Sequence, residues 1–161
     1  NNMVSSAMSW QDMDSMLGRI VVMALIMEHE LALDDALRHR APEVLETLST
    51  NRLKKAQNQL DRKLDSLRGR KGEQKPTLYS CLYLADKAKA ARILSGRTGE
   101  AEWIHVRPMK SSFKLIEAVR NEVAHGGSLL MQLPEPTDIA EFFEVLRYSI
   151  EWLRKGPLLA G

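Results

Sequence analysis

A chain of 161 residues, 44% hydrophobic and 27% charged, is long enough for one domain with its own core and short for two. Its longest apolar run, Ile20 to Met27, falls far below the ~20 residues that span a membrane. A lone cysteine, Cys81, excludes an intramolecular disulfide framework.

These limits predict one cytoplasmic domain over residues 1–161, with no membrane association and no signal peptide. Cys81, within LYSCLYLA, reads as a small buried hydrophobe. The chain opens on Asn1, with its first methionine at Met3. That start reads as an expression scar or a cut from a longer protein. The net charge of +2 conceals a segregation. Residues 51–75 carry nine Lys/Arg against three Asp/Glu, residues 1–50 three against eight, and residues 133–151 one against five. The basic segment suits either a phosphate backbone or a solvated helix face.

In chain order, apolar residues at Met13, Leu17, Ile20, Ala24, Met27 and Leu31 recur every three or four positions. They predict a helix from about Ser9 to Arg38 with that stripe inward. The broad run Ile20–Met27 suggests burial on more than one side. Pro42 suits the first turn of a short second helix. Ser49, Thr50 and Asn51 can cap a third, whose stripe is Leu53, Ala56, Leu60, Leu64 and Leu67. Residues 69–76, GRKGEQKP, read as a basic loop.

Thr77 is the expected cap of a fourth helix, with Leu78, Leu82, Ala85 and Ala88 inward and Gly96 as its stop. Trp103 and Ile104 are expected to pin residues 99–109 to the core. A fifth helix starts near Ser111, with Phe113, Ile116, Val119 and Val123 on one side. QLPEPT leads to a last helix from Thr137, driven by Ile139, Phe142, Phe143, Leu146, Ile150 and Leu153 and ended by Gly156-Pro157. No run has strand periodicity. The expected fold is all-α, an up-and-down bundle of four to six helices.

Common catalytic patterns are missing. Gly69 and Gly72 do not make a phosphate loop. His29-Glu30 begins like a zinc-protease motif, but Leu33 stands where the second histidine belongs. Glu28 and Glu30 point apart on a helix. His39 and His105 have no recognisable partners. No metal or cofactor is expected.

The stretch RNEVAHGG, Arg120 to Gly127, is the informative one. As plain structure it is a helix ending: glycine is favoured just past the last turn, and a cationic side chain there is favoured by the helix dipole. As a site it has a geometric difficulty. Residues five apart on an ideal helix diverge by roughly 140°, so Arg120 and His125 do not share a face, whereas Asn121 and His125 nearly do. Convergence needs either an opened last turn or a second protomer.

RNEVAHGG also resembles the Arg-x4–6-His motif of the HEPN superfamily (higher eukaryotes and prokaryotes nucleotide-binding domain), in which a polar residue often follows Arg and Gly follows His. The order of a long apolar helix, a basic helix, LYSCLYLADKAKAARIL and FKLIEAVRNEVAHGGSLL is similar to HEPN modules over about Leu17 to Leu153. The resemblance implies a HEPN-like bundle that homodimerises, with two motifs facing a shared cleft. It implies a metal-independent endoribonuclease of toxin–antitoxin or defence type, with RNA as substrate and an antitoxin or a fused regulatory domain as partner. Arg120, Asn121 and His125 would be catalytic. Arg68, Arg70, Lys71 and Lys75 are candidate RNA contacts.

Two other readings stand beside it: a non-catalytic HEPN module that binds RNA or nucleotide or dimerises, and a helical interaction domain whose motif is only a cap. An Arg120 locked in an ion pair with an acidic residue of the first helix would weaken the catalytic reading.

Overall fold

A computed structural model of the chain describes residues 14–68, 75–98 and 109–155. Among these the fold is all-α, with six helices and no strand. They are α1 Met16–Arg38, α2 Ala41–Glu46, α3 Thr50–Ser66, α4 Leu84–Thr98, α5 Met109–Ala124 and α6 Pro136–Lys155. None is long and apolar enough to cross a membrane. The described residues fall into two compact units, one of 14–30 and 109–151, the other of 31–68, 75–98 and 152–155.

The first unit is built on the stripes of three helices. Val22 and Ile26 of α1, Ile116 and Val119 of α5, and Ile139, Phe142, Val145 and Leu146 of α6 form one core. Leu129 and Leu133, from the α5–α6 connection, complete it. The inward faces expected for the last two helices are the ones observed. Phe113 is buried, Val123 and Phe143 are partly so, and Ile150 is buried further along α6. Proline at the first helical position of α6 forgoes an N–H that would lack a partner, and Asp138 Oδ2 accepts the Glu135 N–H (3.0 Å) to close that helix start.

Helix α1 departs from expectation. The predicted inward stripe lies on the solvent side: Leu17, Ile20, Met27 and Leu31 are more than half exposed, and Ala24 is exposed. The buried face is Val22, Ile26, His29, Leu33 and Leu37. An apolar run as wide as Ile20–Met27 offers two stripes of equal helical period, and periodicity cannot choose between them. Burial on more than one side is likewise not found along this helix. Met13 lies outside the described residues.

In the second unit Pro42 occupies the first turn of α2, as expected, and Arg40 pairs with Glu43. Ser49 is the extended residue before α3 but makes no side-chain cap bond. Ala56 is buried, Leu53, Leu60 and Leu67 are half-buried, and Leu64 is exposed. Thr77 does not cap α4. It exchanges bonds with Ser80 (Ser80 N–H to Thr77 Oγ1 3.2 Å, Thr77 N–H to Ser80 Oγ 2.9 Å) around a single 3₁₀ turn, Tyr79–Cys81. Hydroxyl residues readily divert backbone in this way.

Asp86 does the capping instead, accepting the Tyr83 N–H (3.4 Å) and pairing with Arg52 Nε (2.8 Å). Helix α4 runs through Gly96 to Thr98; an interior glycine costs only ~1 kcal/mol relative to alanine and does not by itself stop a helix. Cys81 is buried and free, as expected. Asp34 joins Arg38 (2.6 Å) and Lys87 (2.5 Å). Burial pushes its carboxyl up, but those two cations and Tyr79 hold it below the ordinary aspartate range. Trp103, Ile104 and Gly156-Pro157 lie outside the described residues.

Candidate functional site at the end of α5

The end of α5 is closed by backbone bonds. Gly127 N–H reaches Glu122 O (2.8 Å) and Gly126 N–H reaches Val123 O (3.2 Å), with Gly126 at φ +72°. This is the Schellman pattern, in which the residue past the helix adopts the left-handed conformation that glycine takes without penalty. His125 is the last residue before the reversal, and its own N–H still bonds Asn121 O (3.0 Å). The last turn is therefore shut, and of the two routes by which Arg120 and His125 could converge, the opened last turn is not taken.

A β-carbon on Gly126 would meet nothing within 4 Å, so replacing this residue isolates the backbone term. Gly126→Ala is expected to lower stability by about 1–2 kcal/mol, seen as a fall in Tm of a few degrees. An unchanged Tm would mean that the left-handed residue is not needed.

The three motif residues are distributed as follows. Arg120 Nε lies 3.3 Å from Glu30 Oε1 of α1, with the arginine side chain 39% exposed. Its Nη1 donates to Asn121 Oδ1 at 3.3 Å. Asn121 and His125 are exposed. The structure thus joins Arg120 to Asn121 and leaves the imidazole of His125 without a hydrogen bond to either. Arg120 does pair with an acidic residue of the first helix. At that length and exposure the pair is a half-solvated one, worth little.

The sequence reading missed three residues that organise this end. Arg19 Nη1 donates to Gly126 O (3.2 Å), while its Nη2 lies 3.3 Å from Asp14 Oδ1. Asp14 in turn accepts the Leu129 N–H at Oδ1 (2.8 Å) and the Ser128 hydroxyl at Oδ2 (2.9 Å). Burial pushes the Asp14 carboxyl up, but these donors and Arg19 bring it below its usual range. The loop after the motif is therefore strapped to the start of α1. Beside it lies an open groove of ≈ 500 Å³, lined by Met16, Ile20 and Met23 of α1 and Val123 and Ala124 of α5, together with Asp14 and Arg19.

Of the candidate RNA contacts, Arg68 is 87% exposed at the end of α3, 3.9 Å from Asp65. Lys75 is exposed. Arg70 and Lys71 lie outside the described residues. His39 is exposed, and His105 lies outside the described residues. His29 faces the core, not a site: it is fully buried, its ring 5.6 Å from that of Phe113.

No family model, no curated protein and no solved structure matches the chain. The motif and its geometry stand on their own.

Proposed function

We propose that the protein is a metal-independent endoribonuclease of the HEPN type, with Arg120, Asn121 and His125 as its working residues. The observation that carries this reading is their placement. A guanidinium, a carboxamide and an imidazole all open to solvent at one rigidly closed helix end, where none of them fills the core.

The chemistry follows from the residue types. His125 takes the proton from a ribose 2′-OH, a task suited to imidazole because such rings titrate near neutral pH. The 2′-oxygen attacks the adjacent phosphorus, and the bond to the 5′-oxygen breaks as that oxygen receives a proton back from the imidazolium. The products are a 2′,3′-cyclic phosphate and a 5′-OH, with no net change in protons. Arg120 neutralises charge on the pentavalent transition state through its planar set of donors. Asn121, bonded to Arg120, holds that guanidinium in register. With the last turn closed, the arginine and histidine acting on one phosphate come from two copies of the chain.

The test is incubation of the purified protein with structured RNA in EDTA, beside the same sequence as DNA. RNA is expected to be cut to cyclic-phosphate ends and DNA to survive, since it lacks the attacking hydroxyl. His125→Ala and Arg120→Ala should each lower the rate by at least ~10²-fold, the lower range for losing an acid–base group. Intact RNA with the wild-type protein would overturn the reading.

One observation favours a second reading, a module that binds RNA or nucleotide without cutting it. The Arg120–Glu30 pair occupies part of the guanidinium. RNA binding without cleavage, weakened by Arg120→Ala, would support that module. An antitoxin or a fused regulatory domain, and a cytoplasmic setting, belong to either reading.

A further inference from the structure

Helix α3 sorts its charges by face. At 3.6 residues per turn, Arg52, Lys55, Gln59, Arg62 and Lys63 fall within about 100° of arc. Both acidic residues of the helix, Asp61 and Asp65, lie outside that arc. Asp61 accepts a bond from Gln57 (2.8 Å), and Asp65 is 3.9 Å from Arg68 Nε. Lys55, Arg62 and Lys63 are exposed and make no ion pair among the described residues. The result is a basic stripe whose charge the chain does not cancel.

An aromatic ring stands against this stripe. Gln59 Nε2 donates to the Tyr83 hydroxyl, the Arg52 guanidinium lies 5.9 Å from the ring centroid, and Lys63 Nζ donates to Ser80 O (3.5 Å). The backbone of Tyr83 is fixed. Its carbonyl accepts the Asp86 and Lys87 N–H groups (3.0 and 3.1 Å), while its own N–H goes to Asp86 Oδ2 (3.4 Å). Asp86 is in turn held by Arg52. Yet the tyrosine is 48% exposed, whereas Tyr79, one turn earlier, is 7% exposed and packs into the core. A ring placed this firmly and left half in water contributes little to packing.

We infer that Tyr83 and the α3 stripe form a binding site for single-stranded nucleic acid, DNA and RNA alike. One base stacks on the tyrosine ring while the neighbouring phosphates follow Lys55, Arg62 and Lys63. A row of cations beside an exposed aromatic is what such strands require, because every base has a stacking face and every linkage a charge. An acidic peptide would satisfy the cations and leave the ring idle. A duplex keeps its base faces stacked and out of reach.

This site is separate from the end of α5. All its residues belong to the second unit, and none is among the four cations put forward from the sequence. Neither stacking nor charge pairing uses the 2′-OH on which the cleavage chemistry depends. The inference therefore does not rest on the ribonuclease reading.

Fluorescence anisotropy with labelled oligothymidylate of about 15 nucleotides, which spans one such site and cannot be cleaved through a 2′-OH, tests it. Binding is expected, with oligouridylate similar and the annealed duplex weaker. Three cations at about 0.7 each give a slope of log K against log salt near −2. Lys55→Gln with Arg62→Gln should flatten that slope to about −0.7, without harm to folding, since both side chains are exposed and unpaired. Tyr83→Ala should weaken binding by at least ~5-fold, the lower range for one stacked base, and Tyr83→Phe should keep it. No binding by the wild type, an unchanged affinity in Tyr83→Ala, a duplex held as tightly as the single strand, or displacement by polyglutamate as effective as by oligonucleotide would each overturn the proposal. DNA binding by a protein that cuts no RNA leaves this site standing and removes the ribonuclease reading, so the two fail separately.

Discussion

Between pH 6.5 and pH 4 the protein is expected to lose about 3 kcal/mol of stability through a single side chain, His29. Its ring is fully buried on α1 against Phe113, and neither ring nitrogen has a hydrogen-bond partner. Burial alone disfavours the charged form and pushes the pKa down from 6.5 to about 4. The unfolded chain therefore binds a proton from pH 6.5 downward, while the folded protein resists until about pH 4. Wherever the unfolded state holds more protons, stability falls as pH falls. The penalty is absent at pH 7 and fully developed below pH 4, at about 1.4 kcal/mol per pH unit within the window.

The carboxylates Asp14 and Asp34 act lower still. Their folded values lie below the ordinary 3.8, so the stability they contribute is present above that value and lost as pH drops through their folded range. The intermediate window is thus largely the histidine's. Urea midpoints measured across pH 4 to 7 should slope steeply for the wild type, and His29→Leu should flatten them. The leucine variant should also be at least as stable at pH 7, because it removes two buried polar atoms that lack partners. A wild-type profile already flat over this range would show that the ring reaches solvent or a partner.

The same histidine shows where sequence reading ends. Excluding it as a zinc ligand needed only Leu33 in place of a second histidine, a local fact. That it faces the core could not be read, because the stripe Leu17, Ile20, Ala24, Met27 and Leu31 has the better apolar pattern. The face with His29 in it is the one that is buried. Helices α5 and α6 were legible because each offers one stripe: Phe113, Ile116 and Val119, then Ile139, Phe142 and Leu146. Local chemistry misled where two local options competed, as when Thr77 bonded Ser80 and left the start of α4 to Asp86.

At the candidate site the helix ending at Gly126 was legible, since its signal is a residue type at one position. Its surroundings were not. The bonds from Arg120 to Glu30, Arg19 to Gly126 and Asp14 to Leu129 join positions 90 to 115 residues apart. No spacing rule reaches across such intervals. The sequence raises an acidic residue of the first helix only as a pairing that would weaken the catalytic reading, and it cannot choose Glu30 over Glu28.

Mixing two inactive variants is expected to restore cleavage. If each active centre takes Arg120 from one copy and His125 from the other, an Arg120→Ala homodimer and a His125→Ala homodimer both lack a complete centre. A heterodimer of the two contains one centre with both defects and one with neither. Random assembly from equal amounts makes half of all dimers heterodimers, each with one of two centres intact, so about a quarter of wild-type activity should return. Were arginine and histidine of one chain to act together, no mixture would hold an intact pair and nothing would return.

The size of this effect makes it decisive. Either single variant is expected to sit at least ~10²-fold below wild type, and recovery to about a quarter stands far above that floor. Co-expression with different affinity tags, followed by sequential purification, isolates the heterodimer, whose activity should rise to about half. Absence of recovery in intact heterodimers would return the motif to a single chain, and its closed last turn would then have to open for Arg120 and His125 to meet.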